Sequence, residues 1–351
     1  MQTLNEKEWL PFQLDELFSF QRGQENNMSA RKGGITPLVS AKANNNGIKD
    51  FVSTDRKRIK GNCLTLNNDG DGGAGLSYYQ PMNMTLDTHV TALIPKHRRN
   101  QNELLFLSAC ISGLHGFFGH GLSISNKRAT KIHVMLPVTD SGEPDYSYMA
   151  KYTTKMGGGM LMRYRSYVAE QLAHLEYRDV PTLQEKVWKD FSIEELFSVE
   201  AGKRLTNADK IDGNRPFIGA TDNNNGITGF VGNDNLSRDK NVLGVNYNGA
   251  PCIAFYHPYT CIFTDDVKRL HLLHHENNEY ILLFFKTIIM QQRTKYSYGY
   301  KFKENRMLRQ KLMVPVDDSS NPDYTYMEQY TKNMMRKKYE QYLSFLTERE
   351  T

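Results

Sequence analysis

Trp9-Leu-Pro-Phe-Gln-Leu-Asp-Glu-Leu-Phe-Ser19 returns later in the same chain as Trp188-Lys-Asp-Phe-Ser-Ile-Glu-Glu-Leu-Phe-Ser198. It is the first of a series of matches at a nearly constant offset. Gly23 meets Gly202, and Pro37 meets Pro216. Asn44-Asn-Asn-Gly-Ile48 meets Asn223-Asn-Asn-Gly-Ile227, and Phe51-Val52 meets Phe230-Val231. Near the end of each half, Leu136-Pro-Val138 meets Val314-Pro-Val316. Pro144-Asp-Tyr-x-Tyr-Met149 meets Pro322-Asp-Tyr-x-Tyr-Met327, and Tyr152-Thr153 meets Tyr330-Thr331. So many identities in one order mark two copies of one unit, roughly 1–179 and 180–351. The opening and the closing helix of each copy match well. The centres, 53–133 and 232–311, match only in scattered places. A scaffold that reads two different things would show this pattern.

A chain of 351 residues suits two domains. At 39% hydrophobic and 24% charged residues, its composition excludes a disordered or fibrous protein. No apolar run approaches the roughly 20 residues of a membrane span. The opening Met1-Gln-Thr-Leu-Asn-Glu-Lys-Glu8 carries acids and no apolar stretch, so no signal peptide is expected and a cytoplasmic location is. Cys63, Cys110, Cys252 and Cys261 form no Cys-x-x-Cys pair, which argues against a zinc ribbon and for reduced thiols. The net charge of +5 permits a polyanionic partner and argues against a DNA mimic.

Each unit reads as β-rich and then helical. Pro216–Thr221 and Gly226–Val231 flank an Asp-Asn-Asn-Asn turn, a hairpin signal, and Asn241–Asn246 with Tyr247–Pro251 repeats it. Leu104–Leu114 and Tyr280–Gln291 read as short buried helices, and Pro144 and Pro322 precede longer ones. Met149, Tyr152, Met156, Tyr164, Val168, Leu172 and Leu175 recur at helical spacing in the first copy. Met327, Tyr330, Met334, Tyr342, Phe345 and Arg349 do so in the second. Such stripes fit two helices packed on each other, or helices that cover their own β domains. Gly157-Gly158-Gly159 predicts a break or kink in the first. The expected boundaries are 1–138 and 188–316 for the β-rich domains, with helical regions at 139–187 and 317–351. The expected fold class is α+β: two tandem β-rich domains related by pseudo-two-fold symmetry, each followed by a long helix, the helices packing antiparallel as a spacer.

Several motifs invite a catalytic reading and fail it. Gly70-Asp-Gly-Gly-Ala-Gly75 fits Gly-x-Gly-x-x-Gly, but the Leu-Ser-Tyr-Tyr-Gln-Pro81 that follows reads as a strand, so a glycine-rich turn is the better reading. Asn321-Pro-Asp-Tyr324 is close to the Asn-Pro-Pro-Tyr motif of amino-methyltransferases, but Glu143-Pro-Asp-Tyr146 repeats it and a helix start explains both. His271, His274 and His275 have no counterpart in the first copy, no carboxylate spacing completes a metal site, and a solvated surface run is expected. No nucleophile elbow, P-loop or nuclease carboxylate pair is present, so no catalysis is expected of this chain.

Basic and aromatic residues fill the divergent centres. The first copy has Arg56, Lys57, Arg58 and Lys60, then Arg98 and Arg99, then Lys127, Arg128 and Lys131. The second has Arg293, Lys295, Tyr298, Tyr300, Lys301, Lys303, Arg306 and Arg309. Arg and Lys neutralise phosphates and read guanine edges, and tyrosine contacts sugar and phosphate. A single such cluster is more often a solvated face; clusters in both divergent centres favour DNA. The asparagine triplets could bond adenine edges, but their retention in both copies favours a turn-forming role.

Taken together, these duplicated motifs resemble the DNA specificity (S) subunits of type I and type IIB restriction–modification systems, and the resemblance covers essentially the whole chain. It implies two target-recognition domains, each reading half of a split sequence on double-stranded DNA. It implies helices that hold the domains apart and dock methyltransferase, or fused methyltransferase–nuclease, subunits. It also implies that S-adenosylmethionine and Mg2+ belong to those partners and that this chain binds no cofactor. The helices look shorter than those of typical type I subunits. A tandem β ligand-binding module, for carbohydrate for example, is the alternative; it would need aromatic platforms shared by both copies, and the tyrosine clusters differ.

Overall fold

In the computed structural model, which describes residues 1–26, 32–56, 58–69, 73–119, 122–296 and 300–348, the two copies have the same elements in the same order. The first copy runs β1 (Trp9–Gln13), α1 (Leu14–Leu17), β2 (Phe18–Arg22), β3 (Gly33–Val39), β4 (Ile48–Val52), β5 (Cys63–Asn67), β6 (Ser77–Gln80), β7 (Thr85–Leu86), β8 (Val90–Pro95), α2 (Gln101–Ser112), α3 (Asn126–Ala129), β9 (His133–Pro137) and α4 (Tyr146–His174). The second runs β10 (Trp188–Ser192), α5 (Ile193–Leu196), β11 (Phe197–Ala201), β12 (Arg215–Ile218), β13 (Ile227–Val231), β14 (Val242–Asn246), β15 (Ala254–His257), β16 (Ile262–Phe263), β17 (Val267–Leu272), α6 (Glu279–Gln291), α7 (Glu304–Leu308), β18 (Lys311–Pro315) and α8 (Tyr324–Glu348). By internal contacts the chain divides into Met1–Tyr164 and Arg165–Thr351, units 1 and 2 below.

Unit 1 has a four-stranded sheet ordered β2-β8-β5-β6, a three-stranded sheet ordered β4-β3-β7 and the antiparallel pair β1-β9. Unit 2 repeats them as β11-β17-β14-β15, β13-β12-β16 and β10-β18. Registers repeat too: Trp9 faces Pro137 as Trp188 faces Pro315, and Phe18 faces Pro95 as Phe197 faces Leu272. The helices α2 and α6 bury Leu104, Leu107 and Ile111 in one core, and Ile281, Leu282, Phe285 and Ile289 in the other. Asn100 and Asn278 cap these helices by accepting from the backbone two and three residues on.

The matched motifs are the parts that lock each frame. Trp9 stacks on Phe106 with ring centres 6.1 Å apart, and Trp188 stacks on Phe284 at 6.3 Å. Phe106 meets Tyr152 edge-on and Tyr152 stacks on Tyr148; Phe284, Tyr330 and Tyr326 do the same. Lys7 pairs with Asp145 at 2.8 Å, and Lys186 with Asp323 at 2.7 Å. Each indole N–H donates to a carbonyl five residues back, Leu4 or Leu183, at 2.9 Å. Gly23 and Gly202 match because a Cβ on either would overlap the Asp87 or the Thr264 carbonyl.

The long helices differ from one expectation. Gly157-Gly158-Gly159 does not interrupt α4, which is helical from Tyr146 to His174. Three glycines cost about 1 kcal/mol each in helix propensity, but each still donates and accepts in the helical ladder, and no Cβ is needed for packing because nothing lies within 4 Å of where one would stand. The first turns cover their own β domain, with Met149 and Met327 fully buried. Farther along, Met156 and Met334 are exposed. Within unit 2, the end of α4 runs antiparallel to α8: Tyr167 meets Tyr339 edge-on, and the Leu175 carbonyl accepts from Arg336 at 3.1 Å. The last stripe position, Arg349, lies outside the described residues.

The asparagine triplets are turn formers. Asn45, Asn46 and Gly47 have φ of 52°, 53° and 73°, and Asn224, Asn225 and Gly226 have 49°, 52° and 77°. Asparagine and glycine enter this left-handed region at least cost. The Asn46 amide also donates to the Tyr79 carbonyl at 2.9 Å, and the Asn225 amide to the Tyr259 hydroxyl at 2.9 Å. Asn225→Ala should therefore cost about 1–2 kcal/mol of unit 2 stability, and Asn225→Gly less, in denaturant unfolding of the intact chain. If Asn225→Gly leaves stability high yet abolishes DNA binding, the amide reads DNA and the turn account is wrong.

Candidate nucleic-acid interface

Strand ends sort the loops of each unit. In unit 1, Arg22, Thr91, Asn67 and Ser77 stand at one end of the four-stranded sheet; Phe18, Pro95, Cys63 and Gln80 stand at the other. The described parts of three connections, 40–47, 68–76 and 113–125, meet at the first end. The buried Asn67 donates to the Lys42 carbonyl at 3.0 Å, and the Tyr78 hydroxyl to the same carbonyl at 3.1 Å. The His115 ring contacts the Ala74 carbonyl. Asn68 brackets Ile124: its carbonyl accepts from the Ile124 N–H and its amide donates to the Ile124 carbonyl, both at 2.6 Å. The Thr91 hydroxyl holds the Asn68 amide in place at 2.9 Å.

The same end of unit 2 is built from 219–226, 247–253 and the described part of 292–303. Asn246, the counterpart of Asn67, donates to the Thr221 carbonyl at 2.9 Å. Arg293 reaches Asp222 at 3.8 Å. Where unit 1 uses the neutral Asn68 and Thr91, unit 2 has Tyr247 and Lys268. Lys268 is 8% exposed, pairs with Glu304 at 2.5 Å and sits 5.4 Å from the Tyr247 ring centre. Tyr296 and Tyr300 stack nearly parallel at 5.8 Å.

The basic residues singled out in the sequence divide between the two ends. Arg293, Lys295, Lys301, Lys303 and Arg306 all lie on or just after the third connection of unit 2, with Arg293, Lys295 and Lys303 exposed. Lys127 and Arg128 lie on α3, just after the third connection of unit 1, and are exposed. Arg98 and Arg99 lie past Pro95, at the opposite end of the sheet. There the Arg99 guanidinium covers the Tyr146 ring at 3.4 Å, and its carbonyl accepts from Asn62 at 3.0 Å. Arg99 therefore supports the base of α4. Arg56 and Arg58 are exposed on the β4–β5 connection, in which Thr54 is hydrogen-bonded to Glu25 at 2.5 Å. Lys57 and Tyr298 lie outside the described residues, as does Gly70–Gly72 of the glycine-rich turn. Two cations escaped the sequence reading. Arg22 ends β2, and Lys42 sits in the first connection; as isolated charges they carry no pattern.

One charged cluster corrects an expectation. His271 is not part of a solvated run: its Nε2 lies 2.8 Å from Asp239, and Arg269 bridges Asp239 and Glu200, each at 2.9 Å. Burial pushes the Asp239 carboxyl up, but the His271 bond and charge, with Arg269, outweigh it and hold it below its ordinary range. Spacing along the chain hid these carboxylates because strand pairing brings them in: Glu200 faces Arg269 across β11 and β17, and Asp239 bridges to Cys261. Three ligand-type groups lie together, but the guanidinium already supplies the counter-charge, so this is an ion network. His274 and His275 are exposed, as expected. Burial pushes all four cysteine thiols up to about 12, so none is a thiolate nucleophile at neutral pH.

The model of the type I restriction modification DNA specificity domain matches residues 6–156 and again 185–341. The chain belongs to this family of restriction–modification DNA specificity subunits. It is 37% identical over 328 residues to the specificity subunit S.BcgI of a type II restriction enzyme from Heyndrickxia coagulans, covering 93% of this chain and 94% of that protein. Among solved structures, it is similar to an S subunit of a type I restriction–modification system from M. genitalium (15% identity, 99% and 94% of the two chains, TM-score 0.47). It is also similar to an HsdS subunit from Thermoanaerobacter tengcongensis (11% identity, 98% and 92%, TM-score 0.33).

For this specificity subunit the ion network should behave as a structural element. Arg269→Ala leaves Asp239 half-buried with only His271 beside it and should cost about 3 kcal/mol. Adding Asp239→Ile and His271→Ile, which copies Ile59 and Ile94 of unit 1, should recover much of that in denaturant unfolding. A melting temperature that rises with added Zn2+ and falls with chelator would instead make it a metal site.

Proposed function

We propose that this chain reads a bipartite DNA sequence, one half with each unit, through the end of the four-stranded sheet where three connections meet. The observation that carries this is the contrast within the repeat. The aromatic and ionic frame is reproduced contact for contact, whereas the second and third connections at the loop-bearing end differ; the first keeps its Asn-Asn-Asn-Gly turn and differs at Lys42 and Ala43 against Thr221 and Asp222. Arg293, Lys295, Lys301 and Lys303 in unit 2, and Lys127 with Lys42 and Arg22 in unit 1, supply charge for phosphates. Side chains of the connections meet base edges. Arg98 and Arg99, at the other end, take no part in this reading.

The chain supplies no catalytic group in this account. Methylation and cleavage belong to methyltransferase or methyltransferase–nuclease subunits in the cytoplasm, together with their S-adenosylmethionine and Mg2+. Those subunits dock on the helical side of each unit. In unit 2, α6 and α8 leave an apolar groove of about 660 Å³ lined by Leu283, Met313, Tyr330 and Met334. Leu105, Met135, Tyr152 and Met156 occupy the same places in unit 1. A carbohydrate module is disfavoured because the exposed ring of the Tyr296–Tyr300 platform, Tyr300, has Leu122 at its place in unit 1, where only Phe118, matching Tyr296, is aromatic.

The test replaces Arg293, Lys295, Lys301 and Lys303 by Ala in the complex with the methyltransferase subunit. Affinity for the target duplex should fall, and the log–log salt slope should drop by about 0.9 for each phosphate contact removed. An unchanged affinity and slope would show that this cluster is a solvated face.

A further inference from the structure

Both units close their third connection with the same small lock. In unit 1, Ile124 is buried, Ser125 precedes the single turn of α3, and the Arg128 Nη1 donates back to the Ser123 carbonyl at 2.8 Å. In unit 2, Phe302 is fully buried, Lys303 precedes α7, and the Arg306 Nη1 donates back to the Lys301 carbonyl at 2.9 Å. Ala129 and Met307, one residue on, are both fully buried. In unit 2 the guanidinium also lies 3.9 Å from the Tyr300 ring centre, and Tyr300 stacks on Tyr296, which packs on Phe302 at 4.5 Å.

The repeat of this lock decides its meaning. Apart from the two arginines, its residues differ between copies: Ile124 against Phe302, Ser123 against Lys301, Ser125 against Lys303. The arginine–carbonyl bond and the buried plug are kept in both. A guanidinium that holds the carbonyl five residues back fixes the path of the chain just before the helix. It therefore fixes the backbone that carries the described residues next to it, Leu122 and Ser123 in unit 1 and Tyr300 and Lys301 in unit 2. Base hydrogen bonds are worth about 1–3 kcal/mol of discrimination per bidentate pair and depend steeply on alignment.

We infer that Arg128 and Arg306 are positioning residues for sequence readout, each aiming the third connection of its own unit, and that neither serves chiefly to neutralise a phosphate. This inference rests on the DNA-reading function proposed above. A phosphate contact adds affinity for every sequence and appears in the salt slope. An aiming contact appears in base preference and leaves the slope alone.

The two are separated with the full chain in complex with its methyltransferase subunit, as wild type, Arg128→Ala, Arg306→Ala and Arg306→Lys. Each complex is scored by methylome sequencing and by duplex binding across a salt series. Arg306→Ala should relax base preference roughly tenfold in one half-site only, the equivalent of one bidentate pair, and Arg128→Ala in the other half-site only. Both salt slopes should stay at the wild-type value. Arg306→Lys keeps the charge but loses the planar fork, so it should resemble Arg306→Ala. Tyr300→Leu, which leaves the charge and the carbonyl bond in place, should relax the same half-site more mildly. A slope lower by about 0.9 with base preference intact, restored by Arg306→Lys, would make Arg306 a phosphate contact and overturn the inference. Relaxation of both halves together, or lost activity with unchanged preference, would reduce the lock to a stability element and overturn it too. A wild-type complex without a bipartite target would instead refute the DNA-reading function itself.

Discussion

A tryptophan stacked on a phenylalanine holds each unit together. Trp9 opens β1, Phe106 sits in the middle of α2, and Tyr152 belongs to α4, so one aromatic column joins the beginning, centre and end of unit 1. Trp188, Phe284 and Tyr330 do the same in unit 2. Such pairs contribute about 0.5–1.5 kcal/mol each beyond the area they bury. Their larger effect is geometric. The lysine–aspartate pairs Lys7–Asp145 and Lys186–Asp323 fix the first turn of each long helix at the foot of its column. With that corner fixed, the opposite end of the sheet is free to change its residues without disturbing the frame.

The two copies show how far such change can go. Where unit 2 has Asp239, Arg269 and His271 in an ion network, the same strand positions in unit 1 hold Ile59, Ala92 and Ile94, which pack as an apolar cluster. Removing both charges and partners together is tolerated by a core, whereas removing one is not. A second exchange trades volume. Gly244 leaves room for the buried His257, whose pKa burial lowers to about 4, while unit 1 has Thr65 and a hydrogen-bonded Gln80 at those places. Each pair of neighbours has changed together, so the backbone has stayed the same.

Much of this was legible in the sequence because it was duplicated. The Trp-x-x-Phe pattern, the Asn-Asn-Asn-Gly turn and the Pro-Asp-Tyr helix start are local signals, and repetition turned weak motifs into a firm reading of two alike units. The unbroken α4 was not legible: glycine propensity argues for a break at Gly157–Gly159, but a solvated helix backbone needs no side chain to continue. The clustering of Glu200 and Asp239 around Arg269 was hidden because strand pairing, not spacing, makes it. The basic clusters were legible as charge, but that Arg98 and Arg99 fall at the far end of the sheet is revealed only by strand direction. The lock at Arg128 and Arg306 escaped because just one residue of it is identical in the two copies.

On the proposal above, the frame is common property and the loop-bearing end carries the sequence read. This is tested by exchanging only the connections. Residues 219–226, 247–253 and 292–303 of unit 2 are replaced by 40–47, 68–76 and 113–125 of unit 1, with every strand, the aromatic column and both long helices untouched. The chimera is expressed with its methyltransferase subunit, and its target is determined by methylome sequencing. The account predicts a target in which the half read by unit 2 is lost and the half read by unit 1 appears twice. An active chimera that still methylates the original asymmetric sequence would show that specificity resides in the frame, and would contradict it.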